Sequence, residues 1–250
     1  MEQDAIHRFL LDEATGQFSP DTVYAFMDPH LPRNGSIKGL DAGCGYGGAC
    51  FRHVAVHGGE WTGVTVSSEQ WQYAKKLTAH RGLQASLQFH LLSYDEPLPG
   101  RYSVAIAIES LIHSADPALT LANLASALDE GGRLILVDDM PSEDIAKEDK
   151  SLLDEFKRCW RAPCAPTATD WRRHAAAAGL RPLAMEDLSS LMRPRAEAEL
   201  DAALADLGGQ RAAKAASGFA RLSDAEIGGL HLERLHRRGS MKYMMLVFER

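Results

Sequence analysis

Along the first 140 residues, short apolar runs alternate with segments of helical periodicity. Ser36 to Asp41 reads as a short strand, and a glycine-rich turn from Gly43 to Gly48 leads into a helix of about ten residues. Residues 60–66 read as a strand, 68–81 as a helix, 87–92 as a strand and 102–108, with its run of Val, Ala and Ile, as a buried strand. An amphipathic helix over 116–129 opens at Asp116-Pro117 and stops at Glu130-Gly131-Gly132, before an apolar strand at 134–137. Strands that alternate with helices and are apolar on both faces belong in a largely parallel sheet covered on both sides.

The ends are less regular. Residues 4–14 and 20–28 carry helical periodicity, with Ser19 as a cap before Pro20 at the first helical position. After Asp139 come a charged helical segment over 142–168, a helix near 169–178 and a strand near 180–188. Residues 194–236 are Ala-, Leu- and Arg-rich and mostly helical, and an apolar strand over 241–248 closes the chain. The pattern predicts one domain over 1–250, with N-terminal helices over 1–34, a core over 35–140, and helical caps over 142–168 and 190–238.

Composition narrows the class. The 250 residues are 45% hydrophobic and 24% charged, which is ordinary for a globular chain. A net charge of −7 gives no general attraction to phosphate backbones or anionic lipid, so neither nucleic acid nor membrane is expected as a partner. No apolar run approaches the roughly 20 residues that span a bilayer. The N-terminus lacks the basic start and apolar stretch of a signal peptide. Cys44, Cys50, Cys159 and Cys164 form no CxxC pair, so no zinc site is expected, and a reduced cytoplasmic protein is the plain expectation.

The candidate chemistry gathers where strands end. Leu40-Asp41-Ala42-Gly43-Cys44-Gly45-Tyr46-Gly47-Gly48 lies between strand and helix, where glycines let the backbone turn tightly and approach a ligand. A dinucleotide site also follows a first strand, but the spacing here is not GxGxxG, and Asp41 stands two residues before the first glycine. The segment resembles motif I of the class I S-adenosylmethionine-dependent methyltransferases, a likeness that extends over residues 35–140. It implies S-adenosylmethionine as cofactor, with Asp41, Gly43 and Gly45 at its methionyl and ribose part. It also implies a Rossmann-like α/β fold: a seven-stranded, mostly parallel sheet in the order 3-2-1-4-5-7-6, the last strand antiparallel, with helical lid insertions.

Most members of that class end the second strand with an acid; here the position is Thr65. Gly63-Val64-Thr65-Val66-Ser67-Ser68-Glu69-Gln70 instead resembles the subgroup of cyclopropane fatty-acid synthases, tocopherol methyltransferases and sarcosine/dimethylglycine methyltransferases. That likeness assigns the cofactor to Thr65, Val66 and Gln70, while Ser67 or Ser68 caps the following helix. In Leu91-Leu92-Ser93-Tyr94-Asp95, Ser93 and Tyr94 stand where the family binds adenine, unless Asp95 is the acid in question.

Ala107-Ile108-Glu109-Ser110-Leu111-Ile112-His113 follows a buried strand, so Ile108, Glu109 and His113 emerge at the carboxyl edge of the sheet, where open α/β folds bind ligands. Ile108 is expected against the cofactor. A carboxylate and an imidazole four residues apart can take a proton or hold an amine, and similar E-S-x-x-H segments occur in tocopherol- and sugar-type methyltransferases. Glu109 and His113 are the expected catalytic pair. The structural alternative is that Glu109 caps local amides and His113 packs beneath a lid.

Asp138 and Asp139 end the next strand and would more often be solvated than metal-bound, so no metal is expected. Arginines at 193, 195, 211, 221, 234, 237 and 238 form either a patch for an anionic substrate or a mixed helical surface. Met140, Phe156, Trp160 and Trp171 fall where lids form. The whole points to methylation of a small organic acceptor in specialised metabolism, at carbon by preference, with N- or O-methylation as the alternative. A homodimer is left open. The rival classes are a dinucleotide-dependent oxidoreductase and a cofactor-binding protein without catalysis.

Overall fold

The computed structural model describes residues 7–33, 35–214 and 220–250, with backbone alone for 209–214 and 220–223. A hairpin of β1 (Leu10–Asp12) and β2 (Gln17–Ser19) precedes helix α1 (Asp21–Met27). Then come β3 (Lys38–Ala42), α2 (Gly48–His57), β4 (Glu60–Thr65), α3 (Ser68–His80), β5 (Leu87–Leu91), β6 (Tyr102–Ile108), α4 (Pro117–Ala127) and β7 (Leu128–Pro141). The second half holds α5 (Lys150–Trp160), α6 (Ala168–Ala177), β8 (Arg181–Asp187), α7 (Glu197–Lys214), α8 (Ala220–Arg237) and β9 (Met241–Glu249).

Seven strands form one sheet in the order β5-β4-β3-β6-β7-β9-β8. Neighbours from β5 through β7 pair in parallel, whereas β9 runs antiparallel to both β7 and β8. This is the expected 3-2-1-4-5-7-6 topology. The order reverses beside β3, so β3 and β6 open a crevice at their carboxyl ends. Val104 to Ala107 of β6 and Leu134 to Val137 of β7 are fully buried, as central strands covered on both faces must be.

One core joins the sheet to the N-terminal segment, α1 and α2 through Leu10, Tyr24, Phe51 and Trp61. The other face is closed by α4 and α6 through Leu121, Leu124, Trp171 and Ala175. A third cluster links Ile112, Phe156, Leu232 and Leu235, where α5 packs on α8. The charged 142–168 segment and the Ala-rich 190–238 segment therefore meet each other, as a cap over the end of β6.

The N-terminal expectation is corrected. The described part of 4–14 forms a hairpin arm, not a helix; residues 4–6 lie outside the described residues. Its turn is local chemistry: the Asp12 carboxylate accepts from the Ala14 amide at 2.9 Å, and Gly16 takes φ of +70°. That turn overrides an apolar spacing equally compatible with a helix. Likewise α1 begins at Asp21, one residue later than expected, and Ser19 Oγ accepts from the Asp21 amide before Pro20. The strand expected at 134–137 runs from Leu128 to Pro141, so α4 ends at Ala127 and Glu130-Gly131-Gly132 lies within the strand.

Candidate active site

The glycine turn is set by backbone geometry. Gly43, Gly45 and Gly47 all have positive φ, at +85°, +54° and +90°. The Gly43 and Cys44 amides donate to the Val64 carbonyl, which ties the turn to β4. A Cβ on Gly43 would stand 2.5 Å from that of Ser110, so the loop can lie against the end of β6 only with glycine there. Ser110 Oγ donates to the Ala42 carbonyl at 2.6 Å and closes the junction.

Beside the turn is a cavity of about 220 Å³. Asp41, Gly43, Ile108, Glu109 and His113, all expected from sequence, line it. So do Cys44 of the glycine turn, the expected lid residue Trp160, and His7 and Tyr24, which sequence reasoning did not place there. His7 and Tyr24 come from a segment with no motif, and His7 reaches the cavity because the N-terminal arm is tied through Arg8 to Glu109 and Asp139. Of the expected lid residues only Trp160 reaches the cavity; Met140, Phe156 and Trp171 are core.

Asp41 is fully buried, and its described side-chain partner is the Cys50 thiol, 3.6 Å away. Burial pushes its carboxyl up to about 7, despite that thiol. A carboxyl facing a cavity with so weak a partner is under-satisfied, and a ligand ammonium or N–H would complete it.

Glu109 sits at φ +48°, a left-handed conformation that side chains seldom adopt and that marks strain at the end of β6. Its Oε1 accepts from the Arg8 amide and from the Tyr243 hydroxyl, each at 2.8 Å. Glu109 thus does accept a backbone amide, as its structural alternative held, but the amide belongs to the N-terminal arm. Among the described residues, no hydrogen bond reaches Oε2. His113 is exposed; its ring stacks against Trp160 with centroids 6.5 Å apart, and Nδ1 lies 3.4 Å from the Arg161 carbonyl.

Thr65, Val66, Gln70, Ser93 and Tyr94 lie outside this cavity, on the neighbouring edge formed by the ends of β4 and β5. Thr65 Oγ1 donates to Gln70 Oε1 at 2.8 Å and accepts from the Ser67 amide. Ser67 caps α3 by accepting from the Gln70 amide. Val66 is 75% exposed, an apolar side chain left open beside that pair. Ser93 Oγ accepts from the Asp95 amide, and Tyr94 donates to the Ser110 carbonyl, resting beside Gly43. Asp95 is engaged by the Thr120 hydroxyl.

Asp138 and Asp139 are not solvated strand ends, because both are buried. Asp138 accepts from the amides of Ile112 and Asp139, and burial with the neighbouring Asp139 charge pushes its carboxyl well up. Asp139 binds Arg8 and the His236 ring. The arginine region is a mixed surface: Arg195 pairs with Glu233, Arg234 with Glu197 and Asp201, and Arg238 with Asp149 and Glu197. Arg193 donates to the Ser190 and Met192 carbonyls and Arg237 to the Arg195 carbonyl; the side chains of Arg211 and Arg221 lie outside the described residues. Elsewhere, Asp28, His53 and His57 cluster at metal-ligand spacing, but the Arg52 guanidinium bridges them, at 2.6 and 2.7 Å from the carboxylate.

A family model described as "Methyltransferase domain" matches residues 34–179, more than half of the sequence. The chain belongs to the methyltransferase-domain family. The glycine turn, with the under-satisfied Asp41 beside it, fits the ammonium-bearing end of S-adenosylmethionine.

The chain is 31% identical over 158 residues to the O-methyltransferase resE of Aspergillus sclerotiorum, covering 62% of this chain and 59% of that one. It is 26% identical over 138 residues to dimethylglycine N-methyltransferase of Parasynechococcus marenigrum, 54% of this chain and 49% of that one. It thus spans about half to three-fifths of these relatives. A putative sarcosine dimethylglycine methyltransferase from Galdieria sulphuraria superposes with a TM-score of 0.73 at 20% identity, covering 98% and 93% of the two chains. The [4+2]-cyclase SpnF superposes at 0.76 and 22%, covering 98% and 87%. Likenesses this distant speak for the fold alone. No helix among the described residues is long and apolar enough to cross a membrane.

Proposed function

We propose that this methyltransferase moves a methyl group from S-adenosylmethionine to a hydroxyl of a small, largely apolar organic acceptor. One observation carries the reading: two cavities meet over the end of β6. The cavity against the glycine turn, about 220 Å³, and a second of about 520 Å³ share His7, Glu109 and Trp160 as lining residues. The second is walled by Phe9, Phe18, Met192, Pro194 and Leu232 together with Arg8, Glu109, Arg193 and Glu233, so apolar burial and a few charged groups choose its contents together.

In this reading Asp41, Gly43 and Gly45 hold the amino-acid end of the cofactor. Thr65, Val66, Gln70, Ser93 and Tyr94 hold its nucleoside end, and Ile108 packs against it. The bound cofactor supplies a methyl group already activated on a sulfonium. The protein adds alignment and exclusion of water. Glu109, pinned by Arg8 and Tyr243, has Oε2 to orient the acceptor, and His113 with Trp160 forms the rim.

The hydroxyl preference draws on the O-methyltransferase named above and on the charge census around the larger cavity. Its arginines bind carboxylates or carbonyls, which leaves them ill-suited to a diphosphate. Methylation at carbon is the second reading; geranyl diphosphate methyltransferase shares the fold, with a TM-score of 0.72 at 17% identity.

Calorimetry with S-adenosylhomocysteine and with NAD, then a labelled-methyl assay over phenols, amines and indoles, tests this. Micromolar binding of the former alone, with methylated phenol as product, is the expected result. Binding of NAD, or methyl incorporation only into carbon or nitrogen, overturns it.

A further inference from the structure

Among the three residues shared by the two cavities, His7 has no place in the mechanism so far. It is buried, and its ring is fixed from both ends. Nδ1 lies 3.1 Å from the Arg8 carbonyl, which can only accept, so Nδ1 carries the hydrogen. Nε2 is then a lone pair, and the Tyr24 hydroxyl, 2.9 Å away, donates to it. Tyr24 lines the cofactor-side cavity, and its ring meets that of His7 edge to face at 5.0 Å. A neutral imidazole that lines both cavities, with its basic nitrogen bonded to a phenol that lines the cofactor-side one, is an arrangement for removing a proton where the two cavities join.

We propose that His7 is the catalytic base, receiving the acceptor's proton at Nε2 through the hydroxyl of Tyr24. The proposal rests on the methyltransferase reading above and names the proton's destination. As the acceptor oxygen bonds to the methyl carbon and the carbon–sulfur bond breaks, the acceptor O–H proton passes to the Tyr24 oxygen. Tyr24's own proton moves to His7 Nε2. Charge balances, because the positive charge given up at sulfur reappears on the imidazolium, which later releases its proton to water. Burial lowers the pKa of His7 and keeps the ring neutral and able to accept at neutral pH, while the charge of Glu109 opposes that shift and favours the imidazolium once formed. The other groups acting on the pair are Asp21, Asp41, Cys50, Arg52 and, ring to ring with Tyr24, His53.

The first test needs no acceptor. Histidine-selective 15N NMR of the full chain with S-adenosylhomocysteine bound should show His7 neutral at pH 7 with hydrogen on Nδ1, and Tyr24→Phe should shift the Nε2 resonance. A ring protonated at pH 7, or hydrogen on Nε2, overturns the proposal.

The second test is turnover with 2-naphthol as acceptor. His7→Gln should lower kcat about 10²- to 10³-fold. It should also remove the acid limb of the kcat–pH profile and leave the S-adenosylhomocysteine Kd within threefold. Tyr24→Phe should lower kcat at least about tenfold while keeping that affinity. Full turnover in both variants, or an unchanged acid limb in His7→Gln, overturns the base assignment while the methyltransferase stands. A wild-type chain that binds no S-adenosylhomocysteine, or methylates no hydroxyl probe, overturns the reading beneath it.

Discussion

The guanidinium of Arg8 lies 2.8 Å from the carboxylate of Asp139, a buried acid near the end of a central strand. The same carboxylate contacts the His236 ring at 2.6 Å, so one residue joins the N-terminal arm, β7 and α8. Arg8 also gives its amide to Glu109 and sets its guanidinium over the Tyr243 ring, 5.3 Å from the centroid. The arm that carries His7 is thus held over the site by charge. Burial alone would raise Asp139, but Arg8 and His236 outweigh it and hold the carboxyl below the ordinary carboxylate range.

Arg8→Ala should therefore destabilise the protein by roughly 3 kcal/mol, since it removes the guanidinium paired with a buried carboxylate. The sign with pH follows from the lowered folded value. The stabilisation is fully present above the ordinary carboxylate range and is lost as pH falls through the folded pKa. Denaturant melts from pH 7 downward should show wild type and variant converging in acid. A constant gap would contradict the account.

Glu109→Gln keeps the shape but gives up the charge that Arg8 and Tyr243 address. It should lower kcat about 10²-fold or more while leaving S-adenosylhomocysteine affinity within threefold in calorimetry. Equal loss of binding and rate would show that Glu109 belongs to the cofactor's shell.

Gly43→Ala must place a Cβ against Ser110 at a φ of +85°. We expect a loss of about 2 kcal/mol or more in stability, with weaker S-adenosylhomocysteine binding, from thermal melts with and without ligand. An unchanged melting temperature would mean that the turn relaxes freely.

Thr65→Val breaks the hydrogen bond to Gln70 where an acid is usual in the family. Cofactor affinity should fall about tenfold, roughly the worth of one hydrogen bond, with little change in kcat at saturating cofactor. Wild-type affinity in this variant would remove Thr65 from the binding site.

His53 is fully buried and stacked on Trp61, with centroids 4.5 Å apart. Burial, reinforced by Arg52, lowers its pKa to about 3, so it stays neutral in the fold while the unfolded chain protonates near 6.5. Stability should fall by roughly 1.4 kcal/mol per pH unit between those values from this residue alone. His53→Phe should flatten that limb in denaturant melts; an identical slope would assign the acid loss elsewhere.

The alternation of apolar strands and amphipathic helices was legible in the chain, because a parallel sheet buried on both faces demands uninterrupted apolar strands such as 102–108. So was the glycine turn, since Gly43 and Gly47 stand where positive φ leaves no room for a side chain. Asp41, Glu109 and His113 could be placed near one another because each lies at or just beyond the carboxyl end of a strand facing the same crevice. Local spacing carried that much.

What spacing could not carry is any relation across the fold. Residues 7–14 have an apolar pattern that fits a helix or a hairpin; the turn from Asp12 to Gly16 and contacts with α1 and residues 189–191 chose the hairpin. Only that choice brings His7 and Tyr24 to the cavity and Arg8 to Asp139, 131 residues away. Asp138 and Asp139 read as solvated strand ends because nothing nearby in the sequence announces the amides, arginine and histidine that surround them. Sequence determined the sheet and the turn, because those depend on neighbours in the chain. Tertiary structure decided which groups face the acceptor, because charges and cavities are made by residues that meet only once the chain has closed.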